Sequence, residues 1–465
     1  MPFSFHPPTG RPCDVCDELH THDTTPPIID THNGKASSAN NFPFHNWYNF
    51  VLGYSPEFPE YMIRRENLRQ TDLVLDPFMG TGTTLVTCKQ HQIPSEGIDA
   101  NDFLVDAARA KLNWNLDTKA LIHYRDEVLR QVEATFHSYT WGQDTQPAQL
   151  SLFAPQGSNG KQDYQLYVTP RRPEMLLQKY ISDKPLARAL MIDDAIKTII
   201  PAGPIQELFN LALTSIIVPI SNVRYGPGFG IVKPRDDVPV LDIFIEKLSR
   251  MIKDLRHISE AQRATPSTVK LGDARHLSKY FDHNSVSLMM TSPPYPGDHE
   301  YTKHTRLELT FRGYATTHNE FRIIKRRMIR ASTTNIFKED KDKETVINLE
   351  SIRTITNLIQ ERLTEDGATS GFEKLYTKLI WEYFGGMHLA LQECFAVLRP
   401  GGKIALLVSD SHAFKMVHVQ TAAILQEIGL RIGYVRPEII LWQLKPSTSH
   451  KYWLRENILM LSKPE

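Results

Sequence analysis

Four cysteines in 465 residues are too few to staple the chain with disulfides, so the fold must rest on a packed core, and a reducing, cytoplasmic setting fits. No apolar run approaches the ~18 residues of a membrane-spanning helix. The leading residues MPFSFHPPTGRPC are neither a signal peptide nor an Arg-rich amphipathic presequence. Net charge is missing as well, because 53 Lys and Arg balance 53 Asp and Glu. That excludes a coat protein held to nucleic acid by bulk positive charge. It leaves room for an enzyme that binds nucleic acid through a local basic patch. What is present is ordinary for a folded protein, 41% hydrophobic and 23% charged residues, enough for a sizeable core. At about 150 residues per domain, the length suggests about three units, or one large core with insertions.

Residues 1–40 are rich in Pro, Thr, Asp and His without an apolar period, and read as a polar N-terminal arm. An aromatic stretch follows, NFPFHNWYNFVLGYSPEFPEYMI from Asn41 to Ile63. Leu73–Leu75 reads as a buried strand stopped by Asp76 and Pro77, and Thr83–Gln90 as the start of a helix. Ser95–Asp99 reads as a second strand, and Asp102–Trp114 as a second helix capped by Asp102. Strand, glycine turn, helix, strand, helix is the opening of an α/β doubly wound sheet. Residues 41–117 therefore form the first part of such a domain. Residues 118–265 break the pattern and read as a largely helical insertion, with a Gln/Ser/Gly/Pro linker at 138–162. The α/β pattern resumes over 266–295, with strands ending near Asp273 and Met290. A second irregular interval, 296–372, is rich in Arg, Lys and Thr. Residues 373–465 return to the sheet with a long helix at 375–398, a buried strand at Lys403–Val408, and strands at Ile432–Val435 and Asn457–Leu461.

Two segments carry the chemistry. The first, Asp76-Pro77-Phe78-Met79-Gly80-Thr81-Gly82-Thr83-Thr84, joins a strand to a helix. Its glycines let the backbone approach a ligand without a Cβ in the way. Leu85 stands where a dinucleotide fingerprint has its third glycine, and no lysine follows to make a phosphate-binding loop. Taken alone, a plain tight turn explains it as well. Asp99, 23 residues after Asp76, ends the next strand, where a carboxylate can accept from ribose hydroxyls. Asp273 is placed similarly and could receive the amino group of an adenine. The second segment is Thr291-Ser292-Pro293-Pro294-Tyr295. Two prolines after an apolar strand make a stiff turn at the carboxyl end of the sheet, where open α/β sheets bind ligands. Ser292 and the Pro293 carbonyl offer two acceptors at one point, and Tyr295 a flat face. A planar base with an exocyclic amine suits that arrangement.

Together, DPFMGTGTT and TSPPY resemble the paired signatures of the amino-group DNA methyltransferases, the N4-cytosine and N6-adenine class. The resemblance extends through GIDAN at 97–101, GDAR at 272–275, LRPGGKIALLVSDS at 398–411 and LRENILML at 454–461, so it covers the sheet but neither inserted interval. It implies a Rossmann-like S-adenosylmethionine-dependent methyltransferase fold. The glycine turn (Asp76, Phe78, Gly80, Thr81, Gly82, Thr83), Asp99 and Asp273 would bind S-adenosyl-L-methionine. Phe44, His45 and Trp47 would cradle its methionine end. Ser292, Pro293, Pro294 and Tyr295 would form the catalytic segment. Serine before the prolines points to cytosine N4, with adenine N6 as the alternative. The order of the segments resembles the family's α arrangement, with 118–265 as the candidate target-recognition region and 296–372 as its competitor. Implied partners are double-stranded DNA and a cognate restriction endonuclease, for a nucleoid-associated monomer or dimer with no membrane role. An RNA base methyltransferase and a non-catalytic specificity subunit are the rival functions.

For DNA contact, FRIIKRRMIR at Phe321–Arg330 holds five basic residues and no acid. On a helix Arg322, Arg326 and Arg330 would share one face, with Lys325 nearby, and Phe321, Ile324 and Met328 another. A solvated amphipathic helix is the equal competitor. Arg224 and Lys233 flank a glycine loop as weaker candidates. Cys13 and Cys16 with His20 and His22 have zinc-ligand types, but their spacing is too short for a standard finger, so no metal site is expected. Cys88 and Cys394 read as core residues.

Overall fold

The computed structural model describes residues 42–141, 162–168, 180–225, 229–297, 299–367, 371–446 and 453–465. The polar arm with Cys13, Cys16, His20 and His22, and most of the Gln/Ser/Gly/Pro linker, lie outside the described residues. A seven-stranded sheet organises the rest. Its strands are β1 (Val74–Asp76), β2 (Ser95–Asp99), β3 (Ser267–Leu271), β4 (Val286–Thr291), β5 (Leu398–Ser409), β6 (Val435–Pro446) and β7 (Trp453–Ser462). They lie in the order β3-β2-β1-β4-β5-β7-β6. All neighbours from β3 to β5 are parallel, while β7 runs antiparallel to both β5 and β6. The order reverses between β1 and β4, which makes their carboxyl ends the switch point where such sheets bind ligands. Both sequence motifs leave the sheet there.

The main helices are α1 (Glu57–Arg65), α2 (Thr83–Gln90), α3 (Asp102–Leu112), α4 (Thr118–His137), α5 (Asp183–Ile199), α6 (Pro204–Ser215), α7 (Val240–Leu255), α8 (His318–Arg326), α9 (Glu350–Glu365), α10 (Tyr376–Val397) and α11 (Thr421–Ile432). Among the described residues, none is long and apolar enough to cross a membrane. Alternation along the strands splits the buried side chains between the two faces of the sheet. Val74, Leu288, Met290, Ala405 and Leu407 pack with Phe58 and Met62 of α1. Leu75, Met289, Ile404, Leu406 and Leu459 pack with α10.

Among the described residues, neither inserted interval builds a core of its own. Helices α4 to α7 bury Leu121, Ile192, Phe209 and Phe244 in the same cluster as Phe103 and Leu104 of α3. In the second interval, Ile352 and Ile359 of α9 join Tyr383 and Phe384 of α10. Glycine makes the second join possible, because a Cβ at Gly385 would run into the carbonyl of Asp342.

Some boundaries differ from the sequence reading. Asn101, not Asp102, caps α3, its side chain accepting from the amides of Phe103 and Leu104. The strand expected at Ile432–Val435 is displaced, because α11 runs to Ile432 and ends on Gly433 at φ 114°. That strand occupies Val435–Pro446 instead.

Candidate active site

The turn after β1 is built around two carboxylates. Asp76 is fully buried and accepts from the Phe78 amide (3.0 Å) and the Tyr54 hydroxyl (2.8 Å). Burial pushes its pKa up against the pull of these donors. Asp99, at the end of β2, accepts from the Gly80 amide (2.9 Å) and the Asn101 amide (2.8 Å). Burial moves its pKa up to about 6, with the amides of Asn101 and Gly80 opposing. Gly80 and Gly82 take left-handed φ values of 52° and 79°, which side chains with a Cβ rarely adopt. At Gly80 a Cβ would meet no protein atom, so that backbone is open to the cleft. At Gly82 it would stand 3.1 Å from Ala108, so that glycine serves close packing on α3. The Thr84 hydroxyl donates to the Met290 carbonyl (3.3 Å), which ties the turn to β4.

The carboxyl ends of β1, β2 and β4 open into one cleft. Phe78, Gly80, Thr81, Thr83 and Asp99 line one side, and Ser292 and Pro294 another. The two motifs, far apart in sequence, thus meet at the switch point. Pro293 is buried and, like Tyr295, does not line the cleft. Instead the Tyr295 hydroxyl lies 2.9 Å from Ser292 Oγ and donates to Glu456 Oε1 at 3.1 Å. The Pro294 carbonyl accepts from Tyr383 Oη at 2.8 Å.

Several expected cofactor contacts lie elsewhere. Trp47 is fully buried and donates its indole N–H to Asp254 Oδ2 (2.8 Å), so it fastens the chain to α7 rather than cradling a ligand. Phe44 stacks at 4.5 Å on Trp114, and His45 is buried, its pKa driven down to about 3 by burial and by Lys111. A few residues further on, Phe50, Leu52, Gly53 and Tyr54 line the cleft. Asp273 has both carboxylate oxygens taken by the Arg275 guanidinium, so they are not free for an adenine amino group, and only its neighbours Gly272 and Ala274 line the cleft. Asp76 and Gly82 shape the turn without lining it. Sequence reasoning also missed Tyr301, Arg327, Met328 and Ile329, which the second interval folds over the cleft. Arg327 is anchored by the Ala100 carbonyl (3.1 Å) and by Asp102.

The basic segment is divided. Helix α8 stops at Arg326, so Arg330 cannot share its face. Arg330 is buried in a two-pronged pair with Asp340, at 2.9 Å to each oxygen. Lys325 is largely buried against Glu300 at 2.8 Å. Arg322 and Arg326 remain exposed, their guanidinium groups 5.3 and 4.7 Å from the Phe337 ring centre.

A family model described as DNA methylase matches residues 31–110, which hold the glycine turn and Asp99. The type II methyltransferase M.BsoBI of Geobacillus stearothermophilus is 24% identical over 91% of this chain and 86% of its own length. M.AvaI of a Nostoc species is 22% identical over 84% of this chain and 79% of its own length, and M.MjaII of Methanocaldococcus jannaschii 42% identical over 68 residues. These matches support the amino-group DNA methyltransferase family for this chain. Its methyl donor is S-adenosyl-L-methionine. The cleft of this methyltransferase fits that cofactor. Asp99 offers acceptors for ribose hydroxyls, the bare Gly80 backbone permits close approach, and Phe78, Leu104 and Met328 supply apolar walls.

Proposed function

We propose that this methyltransferase acts on cytosine N4 within a short duplex sequence, on a base turned out of the helix. The observation that carries this reading is the position of Ser292, which lines the same cleft as Asp99 and Gly80. S-Adenosylmethionine supplies an electrophilic methyl group on a sulfonium centre. Everything else falls to the protein and the amine. The amine is a poor nucleophile because its lone pair is delocalised into the ring. Acceptance of an N–H bond by Ser292 Oγ favours a tetrahedral nitrogen and localises that pair. Holding the amine in line is then a large share of the catalysis. Among the described residues no cysteine lines the cleft; Cys88 and Cys394 are buried, and burial drives both thiols well above their ordinary pKa. That argues against a thiolate-addition route to cytosine C5.

Incubation with labelled S-adenosylmethionine and unmodified genomic DNA or total RNA, followed by nucleoside analysis, tests the reading. Label in N4-methylcytosine from DNA is expected. Label in N6-methyladenine would move the target to adenine, and label in RNA alone would overturn the proposal.

For the duplex we infer a contact at Arg322 and Arg326, the exposed arginines of α8. Arg326→Ala should weaken duplex binding and lower the slope of log affinity against log salt by roughly one, while stability stays within about 0.5 kcal/mol. Arg330→Ala should do the reverse. It leaves Asp340 buried and unpaired, at a cost of about 3 kcal/mol, read as a lower denaturant midpoint. An unchanged salt slope in Arg326→Ala would remove this surface from the DNA interface.

A further inference from the structure

Behind Ser292 stands a buried carboxylate that the proposed chemistry does not require. Glu456 lies on β7, between Gln443 of β6 and Ser409 of β5, and is 1% exposed. Three donors converge on it: Tyr295 Oη at 3.1 Å, the Gln443 amide and the Lys445 ammonium. A buried charge is tolerated only when paired and hydrogen-bonded, and here it is both.

The consequence lies in the direction of the hydrogen bonds. A carboxylate can only accept. Tyr295 has a single hydroxyl proton, and burial and Glu456 hold its phenol well above the ordinary pKa, so the proton stays. That proton is given to Glu456. Towards Ser292, 2.9 Å away, the phenol oxygen is left only as an acceptor. The Ser292 proton is therefore committed to Tyr295, and the Ser292 lone pairs are left for the cleft. A serine free to rotate would offer a donor or an acceptor indifferently. An exocyclic amine brings N–H donors, whereas a ring carbonyl in its place brings an acceptor.

We propose that Glu456 is a positioning residue that, acting through Tyr295, fixes Ser292 as a hydrogen-bond acceptor and so selects an amine over a carbonyl on the target base. The proposal rests on the base-methylation reading above.

The test compares binding of two duplexes in the presence of S-adenosylhomocysteine, so that no transfer occurs. One carries the target base, the other its deaminated counterpart (uracil for cytosine, hypoxanthine for adenine). The wild-type protein should prefer the amine roughly tenfold, the worth of one well-directed hydrogen bond. Glu456→Leu and Tyr295→Phe should bring the ratio close to one. Glu456→Gln, whose amide oxygen can still accept from Tyr295, should keep it. A wild-type ratio in both Glu456→Leu and Tyr295→Phe, or equal weakening of both duplexes, would overturn the proposal. Tyr295→Phe leaves Glu456 in place and decides the matter if Glu456→Leu does not fold.

A second measurement needs no DNA. In protein labelled with ¹³Cζ-tyrosine, the resonance lost in Tyr295→Phe should move in both Ser292→Ala and Glu456→Leu. If it moves in neither, the coupling is absent. If the wild-type protein methylates no DNA, the function reading falls and this resonance alone decides the hydrogen-bond chain.

Discussion

Ser292→Ala should lower the single-turnover rate of methyl transfer roughly 10²- to 10³-fold, the range seen when one preorganised hydrogen-bonding group is lost from an active site. Affinity for S-adenosylmethionine should change by less than about threefold, because Asp99, Gly80 and the Phe50–Tyr54 wall are untouched. The protein should stay folded, since Ser292 is only half-buried and its one side-chain partner given by the structure is Tyr295. Rapid-quench transfer measured beside calorimetric cofactor binding separates the two effects. Equal losses in rate and in cofactor affinity would mean that Ser292 shapes the cofactor pocket.

Asp99→Ala should do the opposite and weaken cofactor binding roughly 100-fold, from the loss of hydrogen bonds to a charged acceptor at about 1.5–3 kcal/mol each. The same substitution frees the Gly80 amide, so the glycine turn loses a tether. The pH dependence gives a sharper test. Burial raises the Asp99 pKa to about 6 in the free protein. Ribose hydroxyls need the carboxylate as acceptor, so the ionised form binds. Affinity should be flat above about pH 7 and fall by up to about tenfold per unit as Asp99 takes up a proton. Asp99→Asn should bind weakly and show no such decline. Isothermal titration across this range checks both, and a wild-type curve flat through pH 6 would exclude Asp99 as the titrating acceptor.

Why some of this could be read from the sequence and some could not is physical. Leu73–Leu75 is a short apolar run stopped by Asp76 and Pro77, and the neighbours of such a strand in space are largely set by the parallel-sheet pattern. The glycine turn and Ser-Pro-Pro-Tyr were legible because their local backbone is unusual, and the sheet topology then brings them together. Trp47 misled because an aromatic beside a ligand and an aromatic in a core look alike in sequence; its partner Asp254 lies across the inserted interval. Asp273 misled because the residue that occupies it, Arg275, reads as one more exposed cation. Arg330 looked like a continuation of α8, and only its burial against Asp340 shows otherwise. Tyr301, Met328 and Glu456 carry no local signature. Long-range packing alone brings them to the cleft or behind it.

Strand β7 comes last in chain order yet lies inside the sheet, between β5 and β6. In the folded chain those two strands are joined through β7, which residues 453–462 supply. Such long-range pairing is slow to form. A chain still on the ribosome can hold both motifs and the whole cofactor half, yet lacks Glu456 and the strand that carries it. Completion of the site is therefore tied to the end of synthesis of this region, and a half-made chain carries its cofactor loop without the support behind Ser292.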